Sequence, residues 1–153
     1  LSQSGQEKKG KEFKLEPKLV ITPEQVLSND RIVKLLYLLE AYGEISEKAC
    51  YHFIYELKQR DLDIGYTFFK LGDSVSSKQL REDITSLLYL ELLETKGRAK
   101  KLVVTSKGKE ELGKRLSQLP EDFKEKTSKL VEEVRPVVAS IDAESEYKQI
   151  KRK

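Results

Sequence analysis

Residues 76–114 read SSKQLREDITSLLYLELLETKGRAKKLVVTSKGKEELGK, and the order of local signals in this stretch leaves few folds open. Ser76 or Ser77 stands where a helix cap is needed, and its oxygen can accept from the first free backbone N–H groups. Leu80, Ile84, Leu87 and Leu88 follow at helical spacing and form one apolar stripe. The opposite face carries Lys78, Gln79, Arg81, Glu82, Thr85 and Ser86. Leu92 and Leu93 then begin a strand, Lys96-Gly97-Arg98 makes a turn, and Leu102-Val103-Val104 returns as a second strand. Thr105 caps a further helix, with Gly108, Leu112 and Leu116 along it. This succession predicts a mainly α fold with a small β-hairpin, in the α+β class.

The residues before this unit supply helices for it to pack on. Thr22-Pro23-Glu24-Gln25 has the capping-box pattern with Pro at the first helical position. Asp30 is expected to cap a helix over residues 31–42, with Ile32, Leu35, Leu36 and Leu39 on its apolar face and Gly43 as its stop. Ser46 caps the next helix, which shows Ala49, Cys50, Phe53, Ile54 and Leu57 on one face, and Ile45 is placed to staple onto Cys50. Residues 61–75 interrupt the helices. There Leu62, Ile64, Tyr66 and Phe68 alternate with polar or small residues, which predicts a short extended segment, and Gly72-Asp73 marks a turn. Tyr66, Phe68 and Phe69 read as core or lid packing.

Composition bears on the two ends. With 38% apolar and 36% charged residues, the chain has material for one compact core flanked by solvated arms. Residues 1–18 are polar and rich in Lys and Glu, and are expected to be a disordered tail. The core is assigned to residues 19–119. Residues 121–153 contain no glycine, and Leu130, Val134, Val137 and Ile141 repeat at spacings of four, three and four, the seam of a coiled coil or of a long docking helix. Residues 120–153 therefore form a helical extension for dimerisation or docking. Pro136 is expected to kink or break it, and the basic end from residue 147 is expected to fray.

Several kinds of chemistry find no support. Cys50 is the single cysteine and His52 the single histidine, so neither a disulfide nor a zinc or iron–sulfur site is expected, and no cofactor is implied. Two positions apart on one helix, Cys50 and His52 point in different directions, so Cys50 reads as a small core residue and His52 as a boundary residue. No phosphate-binding glycine loop and no nucleophile beside a base is present, and no enzyme activity is expected. No apolar run approaches the ~20 residues of a membrane span, and residues 1–14 lack the apolar stretch of a signal peptide, which predicts a soluble cytoplasmic protein. Dense Lys and Glu, one Asn and no Met are similar to a thermophile's usage.

The distribution of charge is more informative than its sum. The net charge is only +3, yet Lys96, Arg98, Lys100, Lys101, Lys107 and Lys109 follow one another with no acidic residue between them. A hairpin projects such side chains along a ridge, where they reach phosphates and release counterions. The competing reading is a lysine-rich hairpin that protects a sheet edge from aggregation. On the preceding helix, Ser77, Lys78, Gln79, Arg81 and Thr85 are donors for base edges or phosphates. Glu82 and Asp83 lie in the same turn and would repel phosphate unless they accept from cytosine or pair with Arg81.

Residues 31–116 resemble the winged-helix (winged helix-turn-helix) DNA-binding superfamily of bacterial and archaeal regulators. The resemblance is carried by RIVKLLYLLEAYGEIS, by SSKQLREDITSLLYLELLE and by KKLVVTSKGKEEL, in which TSKGKE is typical of the step from wing to last helix. With the C-terminal helix added, the layout is similar to PadR-like regulators and to small archaeal winged-helix chromatin proteins that dimerise by a coiled coil. The resemblance implies a recognition helix carrying Ser77, Lys78, Gln79, Arg81 and Thr85, and a wing carrying Arg98, Lys100 and Lys101 with Lys96 at its turn. It implies double-stranded DNA as partner, a role as nucleoid-associated transcription regulator or chromatin factor, and a homodimer through Leu130, Val134, Val137 and Ile141. The linker over residues 61–75 is longer than the tight turn usual in that superfamily. The competing expectation is a protein-interaction module, an accessory subunit of a transcription, replication or other nucleic-acid machine.

Overall fold

The structure is a computed structural model that describes residues 21–151, with side chains described to Glu144. The expected polar tail, and the side chains of the basic end, lie outside the described residues. Helix α1 (Pro23–Val26) opens on the anticipated capping box, with Thr22 Oγ1 accepting from Gln25 N and Gln25 Oε1 from Thr22 N. Helix α2 (Asp30–Tyr42) is capped by Asn29 and not by Asp30: Asn29 Oδ1 accepts from Arg31 N at 3.0 Å. Asp30 becomes the first helical residue, where its charge favours the positive end of the helix dipole. Gly43 ends α2 at φ +106°, a conformation that a residue with a Cβ rarely adopts. Helix α3 (Glu47–Gln59) is capped by Ser46, whose Oγ accepts from Ala49 N.

The linker after α3 holds two features. Leu62, Ile64 and Tyr66 are buried while Asp63, Gly65 and Thr67 are exposed, so the period-two alternation is real although no strand pairs there. A second hairpin, absent from the sequence reading, follows it. Strand β1 (Phe69–Leu71) pairs antiparallel with β2 (Ser74–Ser76) across the turn at Gly72-Asp73. Its signal is weak because Phe69 and Leu71 face solvent opposite Ser76 and Ser74, so no apolar face marks the strand.

Helix α4 (Lys78–Tyr89) buries Leu80, Ile84 and Leu87, and leads into β3 (Leu93–Lys96) and β4 (Lys101–Val104), an antiparallel pair. Ile45 adds a third backbone pairing, exchanging hydrogen bonds with Leu102 in both directions. Ile45 thus ties the entrance of α3 to this hairpin. Helix α5 (Ser106–Gly113) is capped by Thr105. Leu116 is not on it, as the spacing had suggested, but begins a 3₁₀ turn (Leu116–Gln118) and is 40% exposed.

Helix α6 (Glu121–Lys151) runs without interruption through Pro136, against the expected break. Pro136 lies on the exposed side, and the carbonyl that loses its donor belongs to Glu132, also on the exposed side. Phe123, Thr127, Leu130, Val131, Val134, Val138 and Asp142 form the buried side of α6, which packs on α3 and α2 of the same chain. The anticipated seam therefore shifts by one residue after Pro136. Val138 is buried, Val137 is 43% exposed, and Ile141 is partly buried. Leu130 and Val134 face this chain's own core. Polar contacts reinforce the docking: Arg135 Nη1 donates to Tyr42 O at 3.2 Å, and its guanidinium lies 4.5 Å from the Tyr42 ring centre. The result is a mainly helical α+β fold with two small antiparallel hairpins around one continuous apolar core. Among the described residues, no helix is long and apolar enough to cross a membrane.

Candidate nucleic-acid interface

Helix α4 is held in place from beneath by Asp83. This carboxylate is buried and accepts from Arg31 Nε at 2.9 Å, Arg31 Nη2 at 3.3 Å and the Tyr66 hydroxyl at 2.6 Å. Burial first, and the bond to Asp83 second, push the Tyr66 hydroxyl far above the ordinary tyrosine range, so it stays a donor. The spacing had placed Asp83 beside Glu82 as a charge repelling phosphate unless it accepted from cytosine or paired with Arg81. It does none of these, because its turn of α4 faces inward to α2 and the linker. Glu82 alone of the pair remains at the surface.

The five expected donors of α4 separate into two groups. Ser77 is fully buried, and its hydroxyl accepts from Leu80 N at 3.2 Å, so its role is the helix cap and not base contact. Gln79 Oε1 accepts from both Thr67 N at 2.9 Å and Thr67 Oγ1 at 2.8 Å, which fastens the linker to the start of α4. Lys78, Arg81 and Thr85 are exposed. Arg81 meets the Tyr51 hydroxyl, a hydrogen bond that raises its pKa further above the normal arginine value. Tyr51 also donates to Glu47 Oε2 at 2.6 Å, and burial followed by that bond pushes its hydroxyl up to about 12. Arg81 is thereby aligned with the first turn of α3.

The basic hairpin is divided in the same way. Lys96 Nζ lies 3.1 Å from Glu44 Oε2, and Lys101 Nζ lies 3.2 Å from Asp142 Oδ2. Arg98 and Lys100, at the tip, are exposed and make no ion pair among the described residues. The tip is shaped by two left-handed residues, Gly97 at φ +75° and Lys100 at φ +54°, closed by Lys100 N donating to Gly97 O. A recess of about 260 Å³ separates this tip from α4 and from the start of α3, and is lined by Glu47, Lys48, Leu88, Thr95, Ala99 and Lys100. Lys48 and Glu47 are surface residues of this recess that the sequence reading did not single out. The Ser46 cap, which fixes where α3 begins, was the signal that leads to them.

On the remaining surface, Cys50 is fully buried and burial pushes its thiol far up. His52 is half-buried, and burial lowers its pKa. Among the described residues, no cluster of three or more His, Cys, Asp or Glu side chains is arranged to hold a metal ion. No model of a known protein family, no curated protein and no solved structure matches this chain.

Proposed function

We propose that this protein is a winged-helix binder of double-stranded DNA, acting as a transcription regulator or chromatin factor through backbone contact. The order α2, Ile45 bridge, α3, α4 and β3–β4 hairpin supports the winged-helix reading. The observation that carries the functional reading is the hairpin tip. Arg98 and Lys100 project from a tight turn with no carboxylate partner among the described residues, and Lys78, Arg81 and Thr85 are exposed on the helix that precedes it. Phosphate neutralisation needs unengaged cations of this kind, and it carries no sequence information by itself. Because Ser77 and Gln79 are committed to the fold, base readout is left to few side chains, and binding is led by the backbone. Leu130 and Val134 are covered by the protein's own helices.

The test is titration of a fluorescent random-sequence duplex at several salt concentrations. Replacing both Arg98 and Lys100 by Ala is expected to weaken binding and to flatten the log K against log salt plot by about 1.8, two phosphates' worth. An unchanged slope, or no duplex binding at 50 mM salt, overturns the reading. A second reading, a protein-interaction module in a nucleic-acid machine, draws on one observation. Phe69 and Leu71 form an apolar ridge on β1, 50% and 66% exposed. Duplex binding absent at low salt would favour it.

A further inference from the structure

Two backbone connections and one carboxylate meet at the tip-proximal end of β4, where Lys101 and Leu102 lie opposite Lys96 and Thr95. Ile45 and Leu102 exchange hydrogen bonds there. Their chain neighbours, Ser46 and Lys101, both turn to Asp142 of α6: Oδ1 accepts from Ser46 N at 2.8 Å, and Oδ2 lies 3.2 Å from Lys101 Nζ. The Asp142 side chain is 8% exposed and that of Lys101 22%, against 65% for Lys96, directly across the hairpin from Lys101. Lys101 is thus drawn into the domain by a residue from the last part of the chain.

The segment that delivers Asp142 has a definite root. Just before Pro136, α6 is fastened by Arg135 to Tyr42 and by Glu133 to Arg60. At Pro136 the helix lacks one N–H, which makes it the easiest place for α6 to bend. Beyond it, the described inward attachments are Val138, Ile141 and Asp142. An ammonium that pairs with a carboxylate pairs equally with a phosphate, since both present anionic oxygens.

We propose that the part of α6 beyond Pro136 is an intramolecular latch on the hairpin. Asp142 holds Lys101 neutralised and turned inward, and undocking of this segment adds Lys101 to the phosphate-contacting set of Arg98 and Lys100. This rests on the nucleic-acid reading above and supplies its regulation. Affinity for a polyanion is set by competition between Asp142 and phosphate for one lysine.

The experiment uses the full chain and a random-sequence duplex, with Asp142→Asn, Lys101→Gln and the double variant. Asn at 142 keeps an oxygen for Ser46 N and loses the charge. D142N is expected to steepen the salt slope by about 0.9, so that its advantage over the native protein grows about threefold from 200 to 50 mM salt. K101Q alone, which leaves the Ser46–Asp142 bond in place, is expected to leave the native slope unchanged, and in the double variant it removes the gain. A D142N slope equal to the native one, or a K101Q slope flattened by one phosphate, overturns the latch while duplex binding itself persists. If neither the native protein nor D142N binds duplex at 50 mM salt, the nucleic-acid reading falls, and the latch with it.

Discussion

The hydroxyl of Tyr66 donates to Asp83 across 17 residues of sequence, and the bond is buried at 2.6 Å. Arg31 closes on the same carboxylate and lies 5.1 Å over the Tyr66 ring centre. One aspartate therefore joins α2, the long linker and α4. Removing one member of a buried ion pair leaves the other charge without compensation. Asp83→Ala is expected to lower unfolding stability by about 3 kcal/mol, the low end for such a pair, because Arg31 keeps 27% of its side chain in water. Tyr66→Phe, which removes only the hydroxyl, is expected to cost about 1 to 2 kcal/mol. Urea denaturation of the two variants measures both, and equal losses would show that the hydroxyl and not the ion pair dominates.

Gly108 is a glycine that helix propensity alone would replace. A Cβ added there meets the Leu92 carbonyl oxygen and lies 2.8 Å from Val104 Cγ1, so the strands and α5 approach too closely for a side chain. Gly108→Ala is expected to destabilise by about 2 kcal/mol through overpacking. At Gly113, near the end of the same helix, an added Cβ meets nothing within 4 Å. Gly113→Ala is expected to be neutral or to stabilise by about 0.5 kcal/mol. Thermal melts of both variants separate crowding from propensity, since propensity predicts the same sign at both positions.

Cys50 reports on the closure of α3 under α6. Its side chain is fully buried, and burial first, with the Glu47 charge second, keeps the thiol protonated well above its usual range. A thiol reagent at pH 8 is expected to label the native protein only through opening, at a rate that rises with urea in step with unfolding. Rapid stoichiometric labelling without denaturant would show that α3 is not sealed.

Glu111 makes stability depend on acid. The hydrogen bond from Arg115 at 2.8 Å, aided by Lys114 at 3.1 Å, lowers its folded pKa below the ordinary carboxylate value. The unfolded chain, with a pKa near 4.3, then takes up the proton more readily than the folded one. The stabilisation is complete above about pH 4.3 and is lost as pH falls through the folded value. Glu111→Gln is expected to be less stable than the native protein at pH 7, with the gap narrowing toward pH 3. A gap independent of pH in urea titrations would assign the loss to packing.

Features that are local in sequence were legible in it. The caps Thr22, Ser46 and Thr105, the inward stripe of α4 and the β3–β4 hairpin all follow from residues a few positions apart. The candidate interface was legible as a charge pattern but not as a set of available cations. Lys96 is engaged by Glu44, 52 residues away, and Lys101 by a carboxylate of α6, pairings that no spacing rule reveals. The inward turn of Asp83 was missed for the same reason, since Arg31 and Tyr66 explain it only in three dimensions. Ser77 and Gln79 were polar residues on the expected face whose hydrogen bonds had been taken by the backbone and the linker. The β1–β2 hairpin escaped notice because its apolar side chains point to solvent, the reverse of the usual strand pattern.

The path of α6 has a consequence for the way this chain comes off the ribosome. Ser46 and Asp142 are joined across 96 residues, and much of the apolar faces of α2 and α3 is closed by a helix that begins at Glu121. Until that helix emerges, the part of those faces that it covers stays wet, and the earlier elements have an incomplete core to fold around. Chaperone demand should therefore be greatest for nascent chains that have passed α5 and not yet produced Val134 and Val138.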